Sequence, residues 1–366
     1  MSADRATEVS AKLARLRDRM AEQQIDAAHL QTIANTAWIT AGGSLYINEG
    51  TDSAASSIVV TPDHAYVLTD TIESPRLRAE EHLEDMGFEF TIEPWYARGA
   101  WLNQFLAGKR AGSDAGSAGA DIEPVLCDLR THLQAEEVAR LRDVAALASH
   151  AVDTAIRAVR PSMTEYEAAG HIAAAARAAG GTAIVNLVAS DERVAQFRHP
   201  LPTSKPIERY AMLVLCMRRQ GLIAAVTRLI HFGALPSDLR ERALAVAQVD
   251  ARVILGTQAG KTMGDMFALA RQSYSDVGFA DAIEQHHQGG SIAYKPREIL
   301  MQPDNPTSID INQAFAWNPS VRGVKSEDTI LLGPDGPEVI TATPGWPTWD
   351  ITVGDQTLAR PAILEM

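Results

Sequence analysis

The sequence predicts an α/β domain followed by an α+β domain built on an antiparallel sheet. Three observations predict it. At 366 residues the chain is longer than one ordinary domain. Through residues 1–132 strand-like apolar runs alternate with helical segments, the pattern of an α/β layer. From 133 onward two helical blocks come first, and a succession of strand-like runs broken by one further helical block follows. The expected division is therefore 1–132 and 133–366.

The elements follow in order. In residues 9–24 Leu13, Leu16 and Met20 share one face at helical spacing, which predicts an amphipathic helix. AAHLQT, SSIVVTP and HAYVLTD read as strands, the last two as a hairpin turning at Pro62 and Asp63. Helical segments are expected at 74–86 and 100–107. The Gly-, Ala- and Ser-rich stretch 108–120 reads as a surface loop or the approach to a last strand. A long Ala-rich helix over 133–159 ends at Arg160-Pro161. Ser162-Met-Thr-Glu165 reads as a capping box opening a helix to Ala179, which Gly180-Gly181 stops. The runs AIVNLVAS, YAMLVLCMRR, LIAAVTRLIHFG, AFAWNPS, EDTILLG and EVITATP then predict strands, with a helical block at 236–277 between the third and fourth.

Composition narrows the function. The hydrophobic fraction of 46% supports a true core, and the formal charge of −13 argues against a broad grip on nucleic acid or an anionic membrane. Cys127 and Cys216 are the two cysteines, too few for a disulfide framework or a cysteine zinc site. The polar N-terminus has no signal-peptide core, and no apolar run is long enough to span a bilayer. The expectation is a cytoplasmic protein with a small-molecule substrate.

Six motifs in order carry a resemblance. HLQAEEVARLRDVAALASHAVDTAI with VRPSMTEYEAAGHI, FRHPLP, GLIAAVTRLIHFG, HHQGG, FAWNPS, and GVKSEDTILLG trailed by PDGPEVIT resemble the successive landmarks of the creatinase, aminopeptidase P and prolidase family. The resemblance covers nearly the whole chain. It implies the family's α/β N-terminal domain and a C-terminal pita-bread domain with a curved antiparallel sheet. It also implies a homodimer.

The resemblance also implies where metals would sit. The family's peptidases hold two divalent cations with two Asp, one His and two Glu, and the pair activates a bridging water. At the matching positions this chain has Ala225, Val214 (or Cys216 with a small shift), His287 with His286 beside it, Asn318, and Glu327. Three carboxylates are missing, so no metal and no cofactor is expected. His199, in FRHPLP, matches the histidine on which metal-free creatinase depends. The Glu that creatinase keeps is Asn318 here, which speaks against creatine as substrate.

The candidate catalytic residues are thus His199 as proton carrier, with His287 and Glu327 beside it. Since adjacent strand residues face opposite sides, one of His286 and His287 is expected to face the pocket. The candidate substrate-binding residues are Arg228 for a carboxylate, Asn318 for a neutral polar group, and Tyr294 at the rim. Arg228 is also read as the charge partner of Glu327, with Asp328 pointing away, while Lys295 and Arg297 read as solvated or interfacial. The expected function is metal-independent, creatinase-like chemistry on a C–N bond of a small amino-acid-derived metabolite. The alternatives are a non-catalytic pseudo-peptidase that binds peptides or other ligands, and a metal-dependent Xaa-Pro aminopeptidase or dipeptidase.

Overall fold

In the computed structural model, which describes residues 3–116 and 119–366, the chain divides into two compact units. One comprises Met1–Glu137 with Gln220–Leu222, the other Val138–Arg219 with Ile223–Met366. The division falls after Glu137, within a helix, rather than between 132 and 133.

The first unit is an α/β layer. Its strands are β1 (Ala27–Thr32), β2 (Ser53–Val60), β3 (Ala65–Asp70), β4 (Glu89–Glu93), β5 (Ala111–Ser113) and β6 (Ala120–Asp121), in the order β4-β3-β2-β1-β5-β6. The β2–β3 hairpin closes as the turn residues dictate, with the Thr61 amide donating to His64 O at 2.9 Å. The first helix, Ala3–Glu22, buries Leu13, Leu16 and Met20 on one face. Its Lys12 is wholly buried but lies 2.7 Å from Glu8 and 2.8 Å from Glu137, so its charge is paired. The 74–86 segment is not one helix. It breaks into Ser74–Arg76, a π-helical Leu77–Glu81 and a 3₁₀ turn Glu84–Met86, with His82 left-handed between them. Positions 117 and 118 of the predicted surface loop lie outside the described residues.

The second unit opens with helices Ala135–Ala158 and Glu165–Ala178. The capping box is Thr164 with Glu167, two residues beyond the predicted Ser162–Glu165 pair. Both pairs have the same spacing, and tertiary partners decide between them. Glu165 is fully buried, its carboxylate taken by Ser190, Thr203 and Arg193, so it cannot turn back to cap.

The strands follow. β7 (Thr182–Ser190), β8 (Tyr210–Arg219) and β9 (Leu222–His231) form one sheet, flanked by β18 (Leu364–Glu365) on β9. The block predicted at 236–277 is two helices, Ser237–Gly256 and Met263–Asp276. A second sheet runs β10 (Gly289–Ser291), β11 (Ala314–Trp317), β14 (Asp328–Gly333) and β15 (Gly336–Val339). Small hairpins pair β12 (Ser320–Val321) with β13 (Val324–Lys325), and β16 (Thr348–Val353) with β17 (Gln356–Pro361). An antiparallel bridge between Thr227 and Glu327 ties the two sheets together. The core joins Val214 of β8, Val246 and Val253 of the Ser237–Gly256 helix, Met266 of the next, and Phe315 and Trp317 of β11. Among the described residues no helix is long and apolar enough to cross a membrane.

Candidate functional site

The two sheets meet around a cavity of about 110 Å³, in the second unit. Its wall includes Val214 and Cys216 of β8, His199, His287, Arg297, Asn318, Lys325 and Glu327. The chain thus brings His199, His287, Asn318 and Glu327 together from segments far apart in sequence.

Each is held for a local reason. Glu327 sits beside the Thr227 bridge, where strand alternation turns it into the cavity and Asp328 away. Its two oxygens are both engaged. Oε1 accepts from Arg297 at 2.7 Å, and Oε2 accepts from Lys325 and from the Thr227 hydroxyl, each at 2.7 Å. Burial alone would raise its pKa, but the two cations outweigh it and hold the carboxyl well below the usual range. Asn318 follows β11 and is fixed through its amide, which donates to Gln288 O at 3.2 Å. Its Oδ1 is buried with no hydrogen-bond partner in the protein, an acceptor waiting for a donor.

His199 lies on the loop after the short helix Glu192–Gln196. Arg198 pins that loop by donating to Val321 O at 2.8 Å and to Gln285 at 2.6 Å. His286 and His287 lie on the loop before β10, not on the strand, so alternation does not separate them. Their rings stack with centroids 4.3 Å apart, and the His199 ring is 4.8 Å from one and 5.6 Å from the other. Gly289 makes the bend possible. Its φ is +101°, and a Cβ there would stand 2.1 Å from Ala316 O.

The hydrogen bonds fix the tautomers. His286 Nδ1 contacts the His287 carbonyl, which can only accept, so Nδ1 carries the proton and Nε2 holds the lone pair. His199 Nε2 lies 3.0 Å from that nitrogen and must donate to it, which leaves the His199 lone pair on Nδ1. Burial, with the Lys325 charge beside it, lowers all three imidazole pKa values, to about 3 for His286 and about 4 for His287, and Arg297 adds to the effect at His287 and His199. Burial likewise pushes the Cys216 thiol up to about 12, so it is no nucleophile.

The histidine shifts set an acid-stability expectation. A folded pKa below the unfolded value near 6.5 gives stability that is complete above 6.5 and is lost as pH falls toward the folded pKa. The urea midpoint should therefore drop between about pH 6.5 and 5, before carboxylates begin to titrate. The drop should shrink in a His286→Asn, His287→Asn double variant. A wild-type midpoint flat across that window would contradict burial of the neutral rings.

Two predicted ligand-binding residues are placed elsewhere. Arg228 does not reach this cavity. It follows Thr227 on β9, so alternation turns it to the opposite face, where it donates to Asp328 at 2.9 Å and to Thr341 O at 3.0 Å. There it borders a separate cavity of about 240 Å³ with Trp346 and Arg360. Tyr294 is buried and is not part of the wall around His199. Conversely Arg297 and Lys325 line the cavity. Lys325 was within reach of sequence reasoning, since Lys-x-Glu places both side chains on one face of an extended segment. Arg297 was not, because only the fold brings its loop to Glu327.

Comparison with known proteins agrees with this architecture. The model of metallopeptidase family M24 matches residues 139–334, more than half of the chain, and that of the creatinase/prolidase N-terminal domain matches 12–160. The chain belongs to metallopeptidase family M24, a family of peptidase-type hydrolases, and has its two-domain pita-bread fold. A Staphylococcus aureus (strain MW2) protein named as an uncharacterized peptidase is 22% identical over 355 residues, covering 90% of this chain and 98% of that protein. An Xaa-Pro dipeptidase from Bacillus anthracis superposes with TM-score 0.77 at 20% identity, covering 98% of this chain and all of that one. A prolidase from Pyrococcus horikoshii OT3 gives 0.77 at 18%, covering 91% and 98%.

Proposed function

We propose that the chain is a hydrolase that works without the family's pair of divalent metals, cleaving a C–N bond in a small amino-acid derivative that carries a carboxylate. One observation carries the reading: both oxygens of Glu327, the last retained carboxylate of the metal set, are engaged by Lys325 and Arg297 inside the cavity. A pair of dications needs several hard oxygen ligands. The matching positions offer the apolar Ala225 and Val214, a thiol at Cys216 whose pKa burial raises, and a neutral amide at Asn318. Two fixed cations against Glu327 repel further positive charge, and they supply in part the positive field that metals would bring. This donor set does not fit the metal pair.

The same groups suit an anionic ligand. Lysine has three donors and gives one to Glu327, and Arg297 Nε is buried without a partner in the protein, so both can receive a substrate carboxylate. The unpartnered Asn318 Oδ1 selects a ligand with an N–H to donate, such as an amide, amidine or guanidine. His199 takes a proton from water at Nδ1 and returns it to the leaving nitrogen. His287 and the Nε2–H of His199, held by His286, keep that ring oriented.

The test is turnover of a panel of N-acyl, N-amidino and dipeptide compounds by protein stripped with chelator. Cleavage of carboxylate-bearing members by the stripped protein, not raised by added manganese or cobalt, is the expected result. Cleavage only after loading with those metals, with preference for Xaa-Pro dipeptides, would return the protein to the metal-dependent class.

A further inference from the structure

The three histidines form a second kind of site. One ligand nitrogen from each of His199, His286 and His287 lies within 4.8 Å of the other two. We propose that this cluster binds a single transition-metal ion of the zinc class through three imidazoles. Zinc–nitrogen bonds of about 2.0–2.1 Å in a tetrahedral site set ligand nitrogens about 3.3 Å apart. His199 Nε2 and His286 Nε2 already lie 3.0 Å apart, and the third nitrogen needs a shift of no more than about 1.5 Å to join them.

The hydrogen bonding of the rings suits an ion. His286 Nε2 already presents its lone pair, because its other nitrogen is committed to the His287 carbonyl, the kind of outer contact that orients ligating histidines. His199 offers Nε2 by moving its proton to Nδ1. Two successive residues can serve one ion because they stand on a loop and their rings stack side by side. Glu327 is spoken for by Lys325 and Arg297, so it is not a ligand. The cluster shares only His287 with the positions where the family places its metal pair.

The donor set also fixes selectivity. Three neutral imidazoles favour zinc, cobalt, nickel and copper, and offer nothing to magnesium or calcium, which want oxygen. Where His199 is the proton carrier, a metal on Nε2 commits the ring to the ion, so loading inhibits turnover.

The experiment needs no substrate. Chelator-treated protein is titrated with cobalt(II) and followed by visible absorption, then displaced with zinc. One cobalt per chain with the strong absorption of a four- or five-coordinate ion is expected, with no response to magnesium. His286→Ala and His199→Ala should each weaken binding by about tenfold or more, while Glu327→Gln leaves it within about threefold. His286→Gln, with folding followed by circular dichroism, serves if the alanine variant does not fold. Wild-type binding below about 0.1 cobalt per chain overturns the proposal. So does binding that survives the histidine changes and is lost in Glu327→Gln, since that places the ion at the family's positions. The first outcome leaves the catalytic reading, which rests on turnover by stripped protein, untouched; the second counts against both, and turnover by the stripped protein then decides the catalytic reading separately.

Discussion

His199→Ala is expected to lower kcat on any substrate that the panel identifies by about 10²- to 10⁴-fold, with a much smaller change in KM. The ring is the cavity's proton carrier in this reading, because Cys216 is protonated and Glu327 is held ionised by two cations. The pH profile separates catalysis from structure. A general base must be neutral, so kcat/KM rises with pH through its pKa. Burial and the Lys325 charge place that pKa below the ordinary histidine value, and Glu327 opposes them. Lys325→Met should therefore move the acid limb up in pH, and Glu327→Gln should move it down. A purely structural role for His199 predicts no such opposed shifts. Activity of the alanine variant within about twofold of wild type would sink the assignment.

How far the sequence exposed this site depends on which local rule acted. The motif order placed His199, His287, Asn318 and Glu327 on one cavity because each follows from the order of antiparallel strands. Alternation also sent Asp328 away from Glu327. The same rule, applied one strand over, would have sent Arg228 after it. Thr227 bridges Glu327, so Arg228 falls on the face that Asp328 shares, where the two meet. Pairing Arg228 with Glu327 matched charges without matching faces. Of the histidine pair the cavity wall takes His287 and not His286, as expected, but not through alternation, since the strand begins only at Gly289, three residues beyond His286. Ser162–Glu165 against Thr164–Glu167 shows a third limit, where two equivalent local signals are separated only by what the fold buries.

The largest stability effect is expected from Arg360→Met, a loss of about 3–5 kcal/mol by urea denaturation. Arg360 is 1% exposed, on β17, and donates to Asp250 at 2.9 and 2.5 Å and to Asp328 at 2.7 Å. Asp250 is fully buried in the Ser237–Gly256 helix, and burial, resisted by Arg360, raises its pKa. Without Arg360, two buried carboxylates share the single cation Arg228, which bonds only Asp328. The cost is that of stranding Asp250, not of losing a favourable pair. Asp250→Asn added to Arg360→Met should therefore recover part of the loss, a coupling that additive changes would not show. The network also reaches the cavity. Ser326 and Asp328 are tied to Asp250 and Arg360 on one side of the chain, and Glu327 between them faces the histidines. Loosening those ties frees Glu327 to move, so the Arg360 variant should lose turnover beyond what its unfolded fraction explains. A loss below about 1 kcal/mol, or no recovery in the double variant, would mean that the buried charges are not what fixes this segment.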